Sequence, residues 1–339
     1  CAHRGLAPLQ ALQEAAAQED LARAEAGAEA EAGGGGEPTT PPYVSMLVRA
    51  ERFRRGQWSE LFILLRRELT FVARRPATAV AHVSVAALTA LWVGVIYHRM
   101  PLDLAGFQDR LGVSFFSVAF FSFAGLSALT PAFDRQPMHL REAGRFYRPC
   151  LGFLASWTVD VVAQRIAPAL VYTTIAYFMI GLQPHVTHFL VAMLSLVLVA
   201  CGSAALCLFI ASITSTPAAA ISLSTFVILN SAVFSGFLAS LHTIPKIVGW
   251  IRYTCLTFYA FEALITSELC GLHLTLDVRG LLEVEEVDGE IYLFSLNMRC
   301  GAFRITARLA SAFALLACFV MAGMVSFTTR HTPRRESSS

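Results

Sequence analysis

Residues that could do chemistry are sparse in this sequence, and only a few of their spacings are informative. Asp160 and Arg165 lie five residues apart inside an otherwise apolar region. Intramembrane charges of this kind pair with each other, face an aqueous space or snorkel to the interface, and the sequence leaves these readings open. His185 and His188 are three residues apart, which would put both on one helical face, but no third metal ligand is near. We therefore expect solvated histidines in a short loop and no metal site.

Catalytic motifs are absent from the sequence. A phosphate-binding loop needs a glycine-rich turn followed by Lys-Ser/Thr, and the only lysine, Lys246, follows Pro245. The chain contains no His-Glu-x-x-His, no Gly-x-Ser-x-Gly and no paired Cys-x-x-Cys motif. We therefore expect no catalytic residues, no ATPase site and no cofactor within this chain.

The composition excludes an ordinary soluble globule and a disordered chain. Of the 339 residues, 55% are apolar and 15% are charged, and the mean hydropathy is +0.58. An average soluble domain is roughly 45–50% apolar and about 25% charged. The net charge of +2 leaves no basic face, so no nucleic-acid partner is expected. The composition therefore indicates a polytopic membrane protein in contact with membrane lipids.

Six apolar stretches are long enough, or nearly long enough, to cross a bilayer, which takes about 20 residues of helix. They lack the alternation of apolar and polar residues that transmembrane strands show, so we interpret them as helices. The predicted fold is all-α, with six transmembrane helices at about 77–97, 111–133, 164–182, 189–213, 218–238 and 309–329.

The arginine distribution predicts the orientation. Six spans place 17 arginines on one side, in the N-terminal region, in residues 134–149 and at the C-terminus, against seven basic residues on the other. The positive-inside rule then puts both termini in the cytoplasm. The sequence leaves open whether the membrane is the plasma membrane or an intracellular one.

The remaining segments differ in composition. Residues 1–56 form a low-complexity linker rich in Ala, Glu and Gly, and the chain begins with Cys rather than Met, so we expect further sequence upstream. Apolar residues at helical spacing predict an amphipathic helix over 57–76, on the cytoplasmic membrane surface. The six-span domain covers 77–330, with a cytoplasmic loop at 134–149, an exoplasmic loop at 241–304 and a cytoplasmic tail at 331–339.

Short motifs in a characteristic order follow these elements. They are Gln57-Trp58, Arg74-Arg75-Pro76, Gly94-Val95-Ile96-Tyr97, Arg141-Glu142-Ala143-Gly144-Arg145-Phe146-Tyr147, Tyr177-Phe178-Met179-Ile180-Gly181-Leu182, Phe234-Ser235-Gly236-Phe237-Leu238 and Tyr259-Ala260-Phe261-Glu262-Ala263-Leu264. Over 57–330 the chain resembles the membrane domain of the G subfamily of ATP-binding-cassette transporters. The resemblance implies a six-helix membrane domain of the ABC-2 exporter type, preceded by an amphipathic connecting helix.

The resemblance also implies an activity. Members are usually half-transporters that pair as homodimers or heterodimers and export lipids, sterols or other hydrophobic compounds by alternating access. A nucleotide-binding domain, holding ATP and Mg²⁺, would lie upstream of this chain or on another chain. The sequence departs from the family pattern at Ala163, where a proline is common, and lacks a tryptophan often found before the last span.

Three residues match the family's coupling loop, which contacts the nucleotide-binding domain: Glu142, Gly144 and Tyr147. The Glu142 carboxylate is expected to pair with Arg66, Arg67 or Arg74 of the connecting helix. The alternative is a solvated surface charge of little energetic weight.

Other matches imply a substrate pathway. The family's central cavity is matched by Phe123, Thr225, Leu229 and Ala232, and its exoplasmic exit valve by Phe237 and Leu238. Flat hydrophobic compounds or sterol-like lipids would fit such an apolar slot. The alternative for each residue is ordinary contact with lipid or with a neighbouring helix.

The resemblance also implies disulfides in the exoplasmic loop, which contains Cys255, Cys270 and Cys300. The first candidate pair is Cys270–Cys300.

Two other functions stay open at this point. The chain could be the membrane subunit of a related two-component exporter, or a truncated, non-transporting subunit that pairs with a full transporter and regulates it.

Overall fold

The computed structural model describes residues 56–74, 76–101, 104–142, 148–238, 245, 247–271, 273–278, 282–288, 293, 298 and 300–331. Most of the predicted linker, most of the C-terminal tail, and Gly144 and Tyr147 of the predicted coupling loop lie outside these residues.

Ten α-helices make up most of the described part of the chain. They are α1 (Gln57–Ala73), α2 (Pro76–Ile96), α3 (Leu104–Ala124), α4 (Leu129–Glu142), α5 (Pro149–Asp160), α6 (Ala167–Ile180), α7 (Val186–Ile213), α8 (Pro217–Val233), α9 (Leu256–Leu269) and α10 (Ala302–His331). In the part of the chain that the structure describes, a hairpin within the predicted exoplasmic loop departs from the helical pattern, with β1 (His273–Val278) antiparallel to β2 (Leu282–Asp288).

Two of the long helical segments contain irregular turns. A 3-10 turn at Gly125–Ala128 joins α3 to α4, and a π-helical turn at Val161–Ile166 joins α5 to α6. The apolar stretch at 111–133 therefore lies inside a longer helical segment, Gly106–His139. Charged residues ended the sequence-based stretch, whereas the structure continues the helix because Arg110 and Arg135 find buried acidic partners.

Within the described residues, five helical segments are long and apolar enough to cross a membrane: α2, Gly106–His139, Pro149–Ile180, α7 and α10. The sixth apolar helix, α8, has 17 residues and ends at Val233, before the end of its predicted stretch. The chain turns at Phe234–Ser235, and Gly236 has a φ of 96°, which a residue without a Cβ adopts at little cost. The structure is that of an integral membrane protein.

Helix α7 lies at the centre of the bundle. It contacts α3, α6, α8, α9 and α10, and small residues such as Ala204 and Ala205 allow close approach. Helix α2 packs instead on α6, through Ala86, Ala90 and Gly94. The outer side of α2 exposes large apolar residues, including Val80 and Trp92, which suits contact with lipid.

The contact between the 3-10 turn and α7 is tight enough to test. A Cβ on Gly125 would lie 2.7 Å from the Ser203 Cβ and 2.8 Å from its carbonyl carbon. We expect Gly125→Ala to lower the free energy of unfolding by about 1–3 kcal/mol, because two helices must move apart. Gly249→Ala is the matched control, since a Cβ there meets no atom within 4 Å. Equal stability of the two variants in denaturant titrations would show that the contact can relax.

Candidate coupling surface and substrate pathway

The side of helix α1 that packs against the rest of the described protein contains both apolar and acidic residues. Its buried residues, Glu60, Leu64, Glu68 and Val72, recur every four positions and form one stripe. Leu64 packs against Ala155 of α5. The carboxylates of Glu60 and Glu68 therefore lie on the packed side of α1. Burying a carboxylate is costly unless it has a polar or charged partner.

The first ion pair at this surface joins α1 to the end of α4. The Arg67 Nη1 lies 2.6 Å from the Glu142 Oε2, and its Nη2 lies 3.2 Å from the Glu68 Oε1. Arg67 and Glu142 are both about one-third exposed. Of the three arginines considered as partners of Glu142, the structure brings Arg67 into contact.

Two further contacts at α1 were not predicted from the sequence. The Arg135 Nη1 of α4 donates to the Glu68 Oε2, with both side chains buried. At the other end of α1, the backbone N–H of Arg148 donates to the Glu60 Oε1 over 2.6 Å. The contacts of Glu60, Glu68 and Arg67 therefore hold α1 against both sides of the predicted loop 134–149. The available signal was that both glutamates share a helical face with Leu64 and Val72.

Asp160 and Arg165 form a buried pair at the π-helical turn. The Arg165 Nε lies 2.9 Å from the Asp160 Oδ2, and the two side chains are 2% and 5% exposed. The Arg165 Nη1 also donates to the Ala124 carbonyl over 2.7 Å, directly before the 3-10 turn. The pair therefore ties the irregular turns of two spanning segments together rather than reaching the interface.

Phe123 lies between a cavity and a buried apolar cluster. It is one of the side chains lining a cavity of about 580 Å³ between α2, α3 and the π-helical turn, with His82, Gln164 and Arg165 as polar lining residues. Phe123 also packs against a buried cluster that includes Ile228 of α8. The structure thus places Phe123 next to α8.

The three predicted cavity residues of α8 share one side of the helix but differ in burial. Thr225 is half-buried, Leu229 is 51% exposed and Ala232 is buried. A different side of α8, which includes Phe226 and Asn230, lines a cavity of about 400 Å³ shared with α7, α9 and α10. Thr225, Leu229 and Ala232 are therefore not among the residues that line this cavity.

The predicted valve residues follow the end of α8. The Phe237 ring stacks on Phe115 of α3 with centroids 4.7 Å apart, and lies 6.2 Å from the Phe261 ring of α9. Leu238 is 58% exposed. Phe237 is thus held by α3 and α9, whereas Leu238 projects away from the described residues.

Helix α9 lies within the predicted exoplasmic loop, and all its residues are buried. The Arg110 Nη1 lies 2.6 Å from the Glu268 Oε1, and the Arg308 Nε lies 2.9 Å from the Glu262 Oε2. Burial raises the pKa of the Glu268 carboxyl to about 7, against the opposing effect of Arg110. These acids interrupt an apolar run, and their basic partners lie far away in sequence, so the helix was missed.

A disulfide follows α9. It joins Cys270 to Cys300, the pair named from the sequence, and Cys255 is a free thiol. The bridge ties the end of α9 to the residues that precede α10, and it closes a 30-residue segment that contains the hairpin.

Comparison with known proteins places these features in a family. The ABC-2 type transporter profile matches residues 59–269. The chain is 30% identical over 207 residues, 61% of its length and 32% of the relative's, to "Broad substrate specificity ATP-binding cassette transporter ABCG2" of Bos taurus. It is 29% identical over 226 residues, 66% of its length and 20% of the relative's, to "ABC transporter G family member 24" of Dictyostelium discoideum.

The chain thus spans a third or less of the length of these curated relatives. The match runs from α1 to the end of α9 and so includes the surface helix, the Arg67–Glu142 pair and the first five apolar helices. The chain belongs to the ABC-2 type transporter family and is a membrane domain of the ABCG type.

Proposed function

We propose that this chain is the membrane-spanning half of an ATP-driven exporter of lipids, sterols or other hydrophobic compounds. It would pair with a second copy or with a related half-transporter. ATP and Mg²⁺ would bind to a nucleotide-binding domain upstream in the same protein or on another chain. Both termini would lie in the cytoplasm, and export would run from the cytoplasmic side outward.

The observation that carries this proposal is the Arg67–Glu142 pair. Helix α1 follows the upstream region of the chain, so a movement there reaches α4 through this contact. From Glu142 a single helical segment, interrupted only by the 3-10 turn, runs back past Phe123 to Phe115, which stacks on Phe237. One helix therefore connects the coupling residue to the predicted cavity and valve.

Alternating access follows if ATP binds more tightly to one of two states. A ligand shifts such an equilibrium only by its differential affinity for the two conformations. Closure of two nucleotide-binding domains would move α1 and α4, narrow the cavity beside Phe123 and α8, and open the exit past Phe237 and Leu238. The apolar lining of this route fits a hydrophobic or amphipathic cargo.

The test uses the complete transporter, with its nucleotide-binding domain, in proteoliposomes. We expect Glu142→Ala to retain basal ATP hydrolysis and to lower substrate-stimulated transport about tenfold, a typical loss of coupling between two sites. Asp134→Ala is the control, since Asp134 is an exposed carboxylate on the same helix, α4. Normal transport by Glu142→Ala would contradict the coupling role. If the assembled chain lowers a partner's transport and supports none, a regulatory, non-transporting subunit is favoured instead.

A further inference from the structure

Helices α3 and α9 contact each other through an ion pair and an aromatic cluster. The ion pair is Arg110–Glu268, and in the cluster the Phe115 and Phe261 rings meet edge to face with centroids 6.4 Å apart. Phe237, a predicted valve residue, packs against both rings. Arg110 precedes Phe115 on α3 whereas Glu268 follows Phe261 on α9, so the helices run in opposite directions at this contact. The ion pair therefore lies next to the valve residues, nearer to the start of α3 and the end of α9.

The Glu268 carboxylate lies close to the predicted exoplasmic side. The backbone N–H of Gln183, in the turn between α6 and α7, donates to the Glu268 Oε1 over 3.2 Å. The Gln183 side chain donates to the Glu268 carbonyl over 2.8 Å. Two residues further along the chain, Cys270 forms the disulfide with Cys300. In the predicted orientation the turn and the disulfide are both exoplasmic, so a proton that leaves Glu268 has a short path to that side.

A small cavity adjoins the carboxylate. Its volume is about 30 Å³, close to the space that one water molecule occupies in the liquid. The cavity lies between α3, α6, α7 and α9, and Ser114 of α3 is one of its lining residues. The charged or titratable groups that face Glu268 directly or across this cavity are Arg110 of α3, Tyr172 and Tyr177 of α6, and His188 of α7. The contact between α3 and α9 thus contains an ionisable group beside a space that can hold water.

The protonation of Glu268 depends on whether α3 and α9 stay together. Burial raises the pKa of this carboxyl from about 4.5 to about 7, and the attraction of Arg110 only partly offsets that effect. If the helices part and water reaches the carboxylate, the pKa returns towards its ordinary value. The closed arrangement therefore binds the proton more tightly than the open one. Lowering the pH from 7 towards 4.5 favours the closed arrangement, and raising it favours separation.

We propose that Arg110 and Glu268 are positioning residues of the exit, forming a latch between α3 and α9 that opens as Glu268 releases a proton to the exoplasmic side. While the latch is closed, Phe115 and Phe261 hold Phe237 between α3 and α9. Separation of the two helices frees Phe237, and the carboxylic acid becomes a hydrated carboxylate. Acid on the exoplasmic side therefore keeps the exit closed. This inference rests on the proposed function, because it takes Phe237 as part of the exit.

The first test measures opening of the latch without transport. In the full chain, Ser114→Cys places a thiol at a position that is 4% exposed and lines the cavity. A negatively charged methanethiosulfonate modifies this thiol when α3 and α9 part, and peptide mass spectrometry measures the rate. Each rate is divided by the rate for Ser114→Cys/Glu268→Gln, which has no proton to release, because the thiol itself reacts faster at higher pH. We expect this ratio to rise about twentyfold from pH 5.5 to pH 7.5.

Controls assign the effect to Glu268. Asp109→Asn, beside Arg110 on α3, and His188→Gln, in the cavity, should each keep the rise when combined with Ser114→Cys. Loss of the rise in His188→Gln would assign the proton to His188 and overturn the proposal. A ratio that does not change with pH, or one that falls as the pH rises, would also overturn it. If Glu268→Gln does not fold, Arg110→Met/Glu268→Met is the non-titrating reference.

The second test uses the complete transporter in proteoliposomes, with the pH varied on the exoplasmic side. Lowering that pH from 7.5 to 5.5 should slow export, by at most the same factor of about twenty, and Glu268→Gln should remove the dependence. Equal export by the parent at both pH values would overturn the role of the latch at the exit. Absence of export at every pH would count against the proposed function, and the rate of thiol modification would still decide whether the latch exists.

Discussion

Replacing Glu268 by Met is expected to lower the free energy of unfolding by about 3–5 kcal/mol, a typical cost of removing one partner from a buried ion pair. Glu268 and Arg110 have side chains that are 5% and 3% exposed. A guanidinium keeps its charge at any accessible pH, so Arg110 would remain charged without a counterion. The backbone N–H of Gln183 would also lose the carboxylate to which it donates.

Arg110→Met is expected to lower the free energy of unfolding less than Glu268→Met does. The Glu268 carboxylate, left without Arg110, can become neutral by taking up a proton. Burial already raises the pKa of Glu268 to about 7, and removal of Arg110 raises it further. Above pH 7 the folded variant therefore binds more protons than the folded parent. The loss of unfolding free energy caused by Arg110→Met should therefore become smaller as the pH is lowered towards 7, by up to about 1.4 kcal/mol per pH unit.

The pH dependence of the unmodified chain has a definite sign. The pKa of Glu268 is higher in the folded chain than its ordinary value near 4.5, so the folded state binds the extra proton between these two values. The stability from this group is present in full below about pH 4.5 and is lost as the pH rises through 7.

Denaturant unfolding of the detergent-solubilised chain at several pH values measures these effects. The double variant Arg110→Met/Glu268→Met should recover most of the loss, because two methionines pack without charge. Asp134→Met, an exposed acid, should stay within about 0.5 kcal/mol of the parent. Additive losses in the double variant, or equal penalties for the two single variants at every pH, would contradict this account.

The family and the all-α polytopic membrane fold were predictable from the sequence, because apolar runs of bilayer length are local signals. Helix ends were harder to predict. Arg110 and Asp134 bound the sequence-based stretch at 111–133. The helical structure continues past both ends, and Arg110 and Arg135 lie inside it because each pairs with a buried carboxylate. Those carboxylates are 158 and 67 residues away in sequence, so no local pattern indicates them.

Helix α9 shows the same limitation for the acidic partners. Glu262 and Glu268 interrupt its apolar run, and a long segment with acidic residues is normally assigned to a loop. The structure makes it a buried helix because Arg308 and Arg110 approach from the ends of α10 and α3. The Arg67–Glu142 contact was easier to anticipate, because Glu142 belongs to a motif and its candidate partners were few. Thr225, Leu229 and Phe123 remain predictions as substrate contacts.

Replacing Glu68 by Met is expected to lower the free energy of unfolding by about 3 kcal/mol. Helix α1 should detach from the bundle before the rest of the fold unfolds. Glu68 is 2% exposed and receives hydrogen bonds from Arg135 and Arg67. Its loss leaves the Arg135 guanidinium buried beside the Phe71 ring, 5.3 Å from the ring centroid, without the carboxylate that neutralises it. Because α1 joins the bundle mainly through α5 and these polar contacts, the damage should be local.

Two measurements separate local from global loss. Limited proteolysis should cut Glu68→Met within α1 at denaturant concentrations where the spanning helices stay intact. Arg66→Met, an exposed change on the same helix, should behave like the parent in detergent. The double variant Glu68→Met/Arg135→Met should regain protection, since it removes the stranded cation. If Glu68→Met alone is as resistant as the parent, the buried carboxylate is not needed to hold α1, and the packing on α5 with the Glu60–Arg148 and Arg67–Glu142 contacts is sufficient.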